Sequence, residues 1–473
     1  MTHYDIALIG SGSGNSFPGP EFADKSIVYI DRGVGPDRVF GGTCLNLGCI
    51  PTKMFVHTAD VAGTPAEASR FGVRETLDGV DWPAIRDRIF GRVDPISAGG
   101  EEYRRDHPDN ANLTLLRGTA RFTGPKRLEV ALAGGGTTEV TADTFVLGAG
   151  SRPEIPPIPG LAEANPQTSD TIMRIDALPA SLAVIGSGVI AAEFAHVLSS
   201  LGVAVTLIAR SDALLRAADL DVSARFTEVL SQRIDVRRNL STSAVHRTDS
   251  GRVLIRGTQA GEEVELEVDE VLVATGRRSN ADLLEVEAAG IDRTDDGRVV
   301  VDAFQRVLGG GEALEGVWAF GDLSDAHQLK HVANHQQRIV RHNVLHPEGL
   351  RRSDTMPVAA AVFSHPQVAW VGLTEREARE SGRELRVAHQ DYSDIAYGWA
   401  MEDTTGFAKV IADAATGELL GAHIIGPEAS SLIQILIQAM STGQTAADIA
   451  STQYWIHPAL PELVENALLQ LID

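Results

Sequence analysis

Leu182-Ala183-Val184-Ile185-Gly186-Ser187-Gly188-Val189-Ile190-Ala191 is the stretch that settles the architecture. A short apolar run of this kind reads as a strand buried on both faces, as in a parallel sheet. The two glycines turn the chain sharply and let backbone N–H groups approach a pyrophosphate, while Ala191 lets a helix lie close to the strand. Ala192-Glu193-Phe194-Ala195 continues that helix, and the following strand ends Val205-Thr206-Leu207-Ile208-Ala209-Arg210. The same unit opens the chain. Asp5-Ile6-Ala7-Leu8-Ile9 runs into Gly10-Ser11-Gly12-Ser13-Gly14-Asn15, and a second strand ends Val28-Tyr29-Ile30-Asp31. Strand, glycine turn, helix and strand are expected twice. This predicts an α/β protein with two Rossmann-like dinucleotide-binding units.

The two units differ where they would meet a nucleotide. Asp31 ends its strand, where a carboxylate accepts hydrogen bonds from ribose hydroxyls. Asn15 occupies the third glycine position there, with Gly14 displaced by one, so helix and strand are expected to pack differently at that point. The second unit has Gly186, Gly188 and Ala191 in place, but its strand ends at Arg210, with Arg216 six positions on. Guanidinium groups suit a 2′-phosphate and a carboxylate suits a free ribose, so this site favours NADPH over NADH.

The run Pro153 to Pro159 is expected to link the units, since proline continues neither a helix nor a central strand. Val271-Leu272-Val273-Ala274-Thr275-Gly276 closes the second unit. Chain belonging with the first resumes near Asn280 and includes Trp318-Ala319-Phe320-Gly321-Asp322. From about 350 the pattern changes to strands such as Ala408 to Ala412 and an apolar helix from Ser431 to Met440, a separate α+β domain. The expected divisions are 1–152, 153–276, 277–348 and 349–473.

With 473 residues, two to four domains are expected. Forty-one basic against 64 acidic residues give a net charge of −23, which disfavours nucleic acid and anionic membrane as partners. No apolar run reaches the roughly 18–20 residues of a membrane span, and the N-terminus has no signal-peptide pattern. A cytoplasmic protein is expected, where stable disulfides are rare. Its only two cysteines, Cys44 and Cys49, therefore read as catalytic or metal-binding rather than as a staple.

They lie in Gly41-Gly42-Thr43-Cys44-Leu45-Asn46-Leu47-Gly48-Cys49-Ile50-Pro51-Thr52-Lys53. In an ideal helix, residues five apart have Cα atoms about 8–9 Å apart, and a disulfide needs less than about 7 Å. Bridging this pair requires a distorted turn, for which Gly48 supplies freedom. So small a loop is worth only about 2 kcal/mol of chain entropy, which suits a labile redox switch. A metal site would need further Cys or His ligands nearby, and the segment has none.

The segment Gly42 to Lys53 resembles the signature of the class I pyridine nucleotide–disulfide oxidoreductases. That family contains reductases of glutathione, trypanothione and mycothione disulfides, lipoamide dehydrogenases and mercuric reductases. The resemblance extends over essentially the whole chain, through Gly186 to Glu193, Ala274 to Arg277, Phe320-Gly321-Asp322 and Trp455-Ile456-His457-Pro458-Ala459-Leu460-Pro461-Glu462. It implies FAD and NADPH as cofactors, a C-terminal dimerisation domain, and a homodimer with shared active sites acting on a small-molecule disulfide.

By the same resemblance Cys49 is the thiol next to the flavin and Cys44 the interchange thiol that attacks substrate. Lys53 pairs with Glu193 near the flavin, and His457 is the general acid–base, oriented by Glu462. Gly10, Gly12, Gly14, Asp31, Gly42, Thr43, Lys53, Ala120, Ala149, Gly150, Ser151 and Asp322 are implied for FAD. Gly186, Gly188, Ala191, Glu193, Arg210, Arg216 and Gly276 are implied for NADPH; no metal is. A histidine can titrate near neutral pH, and a carboxylate on its other nitrogen fixes the tautomer.

Three stretches are similar to the mycothione-reducing branch: Ile9 to Ser16, Asp394 to Asp403, and Gln453 to His457. A lipoamide dehydrogenase is the competing reading, against which Arg210 and Arg216 count. A flavin-bearing redox sensor without turnover is the more distant one, against which the intact Cys44, Cys49, Lys53, His457 and Glu462 set counts.

Overall fold

A computed structural model describes residues 2–472. Its first sheet has a parallel core of Leu113–Gly124, Ile27–Asp31, Thr2–Ile9, Thr137–Leu147 and Glu312–Ala319. The strand Arg127–Leu132 joins Leu113–Gly124 and Thr137–Leu147 in antiparallel fashion. Glu312–Ala319 enters this sheet beside Thr137–Leu147, so the chain leaves the first unit, builds the second, and returns. Ile27–Asp31 is buried throughout, as a parallel strand covered on both faces must be.

The second unit is a parallel sheet in the order Glu270–Val273, Ser181–Ile185, Ala204–Ile208, Asp235–Arg237, with an antiparallel three-stranded sheet beside it. The helix Val189–Ser200 follows its glycine turn as the sequence predicts, and Ala191 is fully buried against the sheet. The C-terminal sheet is antiparallel and runs Ala359–Val362, Val368–Gly372, Leu419–Ile425, Phe407–Asp413, Leu385–Asp391. The helices Ala429–Thr442 and Glu462–Leu469 share its core.

The first glycine turn departs from expectation. No α-helix follows it; Ser13–Ser16 and Pro20–Phe22 form single 3-10 turns. Pro18 and Pro20 remove backbone donors and crowd the preceding turn, so a helix started at Ser13 cannot propagate. Asn15 is instead held from outside. Arg104, on the helix Trp82–Asp106, donates through Nε to Asn15 Oδ1 at 2.9 Å and also bonds the Asn15 carbonyl. Phe17 stacks on Phe22 at 5.0 Å between centroids, and both rings are buried.

The second unit is bound to the C-terminal sheet by a buried cation. Lys409 Nζ, on Phe407–Asp413, lies 2.8 Å from Asp219, 2.6 Å from Asp221 and 2.6 Å from Glu375. Asp219 and Asp221 stand at the start of Leu220–Arg233, so three carboxylates from two domains converge on one ammonium.

Candidate active site

Cys44 and Cys49 do not share a helix. Cys44 lies in Gly42–Asn46 and Cys49 begins Cys49–Ala68, with Leu47 and Gly48 between. A Cβ on Gly48 would stand 3.1 Å from the Thr43 carbonyl and 3.4 Å from Cys44 Cα. The missing side chain therefore lets the two helices approach, and the break brings the sulfurs together.

The cysteines are thiols here, linked by a side-chain hydrogen bond. That bond lowers the Cys44 thiol to about 7, while the same bond and burial push Cys49 up. Of the two, Cys44 ionises first, with the Cys49 S–H donating to its sulfur.

The expected Lys53–Glu193 contact is replaced by a three-part arrangement. Lys53 Nζ sits 4.2 Å from the centre of the Phe363 ring. Glu193 accepts from the Phe363 backbone N–H at 3.0 Å. Burial raises the Glu193 carboxyl to about 7, against the opposing pull of that hydrogen bond and of Lys53. Phe363 comes from a segment 170 residues beyond Glu193, and no local pattern announces it.

The residues around the first glycine turn fit FAD. Gly10 has φ +100°, and a Cβ there would lie 2.3 Å from the Gly148 carbonyl oxygen. At Gly12 the nearest atom to a Cβ would be Gly42 Cα at 3.9 Å, so the turn opens onto space with its backbone exposed to a ligand. Gly14 is buried against Leu8, and Thr43 lies in the short helix beside Gly42. Asp31 is buried and accepts from the Ser11 N–H at 3.0 Å and the Gly33 N–H at 2.9 Å. Arg117 pairs with it at 2.6 Å, a partner from another strand that the sequence did not disclose. A carboxylate has about four acceptor positions, so three donors leave room for a ribose hydroxyl.

Across the sheet, Asp322 accepts from the Ser151 hydroxyl at 2.6 Å, and Arg277 Nε donates to that same oxygen at 2.8 Å. Ala149 and Gly150 are held by Asn280, whose side chain reaches the Ala149 carbonyl at 2.8 Å and whose N–H reaches Gly150 at 3.0 Å. Ala120 lies buried within Leu113–Gly124 opposite Val130, so only its backbone is placed to meet a ligand.

The second turn fits a nicotinamide dinucleotide. Gly186 has φ +146°, and a Cβ would lie 2.2 Å from the Ala274 carbonyl oxygen. Gly188 and Gly276 have nothing within 4 Å of a Cβ, and Gly188 is the N-cap of Val189–Ser200, whose first N–H groups are free for an anion. Arg210 and Arg216 are both exposed, and among the described residues neither is paired with a carboxylate.

His457 and Glu462 form the expected dyad, His457 Nδ1 to Glu462 Oε1 at 2.6 Å, and Glu462 also accepts from the Ala459 N–H at 3.2 Å. The bond to His457 holds the Glu462 carboxyl below its ordinary value. The His457 side chain is 69% exposed, and within one chain it reaches neither cysteine. The neighbouring Tyr454 and Ile456 are 103% and 73% exposed. Large side chains exposed close together mark a surface suited to a partner.

The family model for pyridine nucleotide-disulphide oxidoreductases matches residues 4–338, and that for the dimerisation domain of the same enzymes matches 358–468. The chain is 49% identical over 485 residues to a mycothione reductase of Mycobacterium tuberculosis, with all of both chains covered. It is 32% identical over 476 residues to a dihydrolipoyl dehydrogenase of Halobacterium salinarum, covering 98% of this chain and 96% of the other. Among solved structures, the HOCl-induced flavoprotein disulfide reductase RclA from Escherichia coli superposes with a TM-score of 0.82. It is 26% identical, with 98% of this chain and 99% of that one covered.

Proposed function

Because this chain belongs to the pyridine nucleotide-disulphide oxidoreductase family, we propose that it reduces mycothione, the disulfide of mycothiol, with NADPH as electron donor. The family makes it an FAD-containing disulfide oxidoreductase that uses a nicotinamide nucleotide. The observation that carries the substrate is identity of 49% over the whole length to a mycothione reductase. Among the described residues no helix is long and apolar enough to cross a membrane, and we place the enzyme in the cytoplasm.

FAD would be held by the turn Gly10 to Gly14, by Asp31, Gly42, Thr43, Ala149, Gly150 and Ser151, and by Asp322. Bound there, it would supply the transfer of two electrons from nicotinamide to the Cys44–Cys49 disulfide. The chain's own residues carry out the rest. Cys44 as thiolate attacks one sulfur of the substrate disulfide and forms a mixed disulfide. The leaving thiolate takes a proton from His457 of the second subunit, whose charged ring is stabilised by Glu462. Cys49 then attacks Cys44, the second thiol leaves, and the Cys44–Cys49 disulfide is restored. Sharing of the site across the dimer is supported by the exposure of His457 and by the match to a dimerisation domain.

A sugar-thiol disulfide presents hydroxyls, and a site that hydrogen-bonds them rejects analogues lacking them by about 10⁴-fold or more. Purified enzyme is therefore expected to prefer mycothione over glutathione disulfide by orders of magnitude in kcat/KM. Equal efficiency with glutathione disulfide or lipoamide would overturn the substrate and leave the flavin and thiol chemistry standing.

The nucleotide preference has its own test. Charge-assisted contacts to a phosphate are worth roughly 1.5–3 kcal/mol each, or about tenfold or more per contact. Replacing Arg210 and Arg216 together by alanine is expected to raise KM for NADPH at least tenfold and leave KM for NADH nearly unchanged. An unaltered enzyme that already prefers NADH would count against this assignment.

A further inference from the structure

Only five of the 41 basic residues are lysine. Lys25 pairs with Asp24 at the surface, Lys126 turns a hairpin, and Lys409 is held by three carboxylates. Of the remaining two, Lys330 acts electrostatically on the two cysteines. Lys53 is explained by Phe363 and Glu193. Lys330 belongs to none of the motifs of this family resemblance.

Lys330 opens the helix Lys330–Leu345, which has no side-chain cap and no acidic residue in its first turn. A cation there opposes the helix dipole, and among the described residues no carboxylate pairs with it. Its Nζ donates to Ser13 Oγ at 3.0 Å, and Ser13 in turn donates to Asn334 Oδ1 at 2.9 Å. The ammonium is thereby tethered to the first glycine turn by an uncharged partner. The turn that carries Ser13 packs directly on the helix of Cys44, since a Cβ at Gly42 would stand 2.4 Å from Gly12 Cα, and from that anchor the ammonium favours the ionised form of Cys44 and of Cys49. A cation placed at such cost, with no protein anion of its own, has the thiolate as its counter-charge.

We propose that Lys330 is a positioning residue of the redox centre, whose ammonium, anchored on Ser13, holds the negative charge of the reduced Cys44–Cys49 pair. Around that pair, Glu193 from Val189–Ser200 is coupled to Cys49, Lys53 from Cys49–Ala68 acts on Glu193, and Lys330 from Lys330–Leu345 acts on both cysteines; the shared site proposed above adds His457 of the partner subunit. Glu193 disfavours the thiolate and Lys330 favours it. Lysine suits the position because it is a compact charge on a flexible stem, able to serve one hydroxyl, where arginine's planar fork seeks a bidentate partner. The inference rests on Cys44 and Cys49 being the redox pair and is independent of the substrate.

The test titrates the thiols directly. Holoenzyme reduced by NADPH is alkylated with iodoacetamide across pH 5–10, and the adduct on Cys44 is quantified by mass spectrometry. In the unaltered protein the midpoint is expected near the low value of Cys44, about 7. Lys330→Met should move it upward by about one pH unit, a tenfold smaller thiolate fraction below the midpoint. Lys330→Arg, which keeps the charge, should restore most of that shift. An unchanged midpoint in Lys330→Met, or equal displacement in both variants, would overturn the proposal. If NADPH unmasks no thiol in the unaltered protein, the redox reading itself fails, and the assignment of Lys330 falls with it.

Discussion

Exchange of Cys44 for serine is expected to lower disulfide turnover by roughly 10³-fold or more, since removal of a catalytic nucleophile commonly costs that much or more. Only a thiolate attacks a disulfide at useful rates, and a serine hydroxyl is not ionised near neutral pH. Cys44 ionises first because the Cys49 S–H donates a hydrogen bond to its sulfur. The variant loses both the attacking group and the disulfide through which electrons pass. Its two nucleotide sites keep every residue, so NADPH should still bleach the yellow flavin in a rapid-mixing experiment. Loss of turnover with bleaching intact is the expected result. Full turnover with any disulfide would remove Cys44 from the attacking role.

The second large effect concerns His457. General acid–base groups contribute about 10²–10⁴-fold, so His457→Ala is expected to lower turnover by that amount without altering reduction by NADPH. Because His457 is largely exposed and its hydrogen bond within the chain is to Glu462, the proposed sharing of the site makes the loss complementable. In a heterodimer of Cys44→Ser and His457→Ala subunits, one site has both defects and the other has neither. Mixed dimers isolated by two affinity tags should regain up to half the activity of the unaltered dimer. No recovery in proven heterodimers would place the complete site within one chain.

Much of this enzyme was legible in its sequence, and the parts that were share a cause. Ser181–Ile185, its glycine turn and Val189–Ser200 appear where the pattern places them, because each depends on residues within a few positions of one another. The spacing of Cys44 and Cys49 called for a distorted turn at Gly48, and the structure goes further, ending one helix at Asn46 and starting another at Cys49. The pairing of His457 with Glu462 came from the family resemblance, and the structure has the two in contact. The first glycine turn departs from the pattern because Pro18 and Pro20, just beyond the glycines, stop the helix that strand and glycines alone predict.

What the sequence determined by itself was therefore the set of local units and the chemistry each can perform: two nucleotide-binding turns, a dithiol, and an oriented imidazole. Only the tertiary structure decided which distant side chains complete them. Arg117 on Asp31, Arg104 on Asn15, Phe363 between Lys53 and Glu193, and Lys330 on Ser13 are separated in the chain by 86, 89, 170 and 317 positions. No periodicity or spacing rule connects residues so far apart. Their contacts arise when a core closes and buried charges must find partners or change protonation, and that requirement is met in space rather than along the chain.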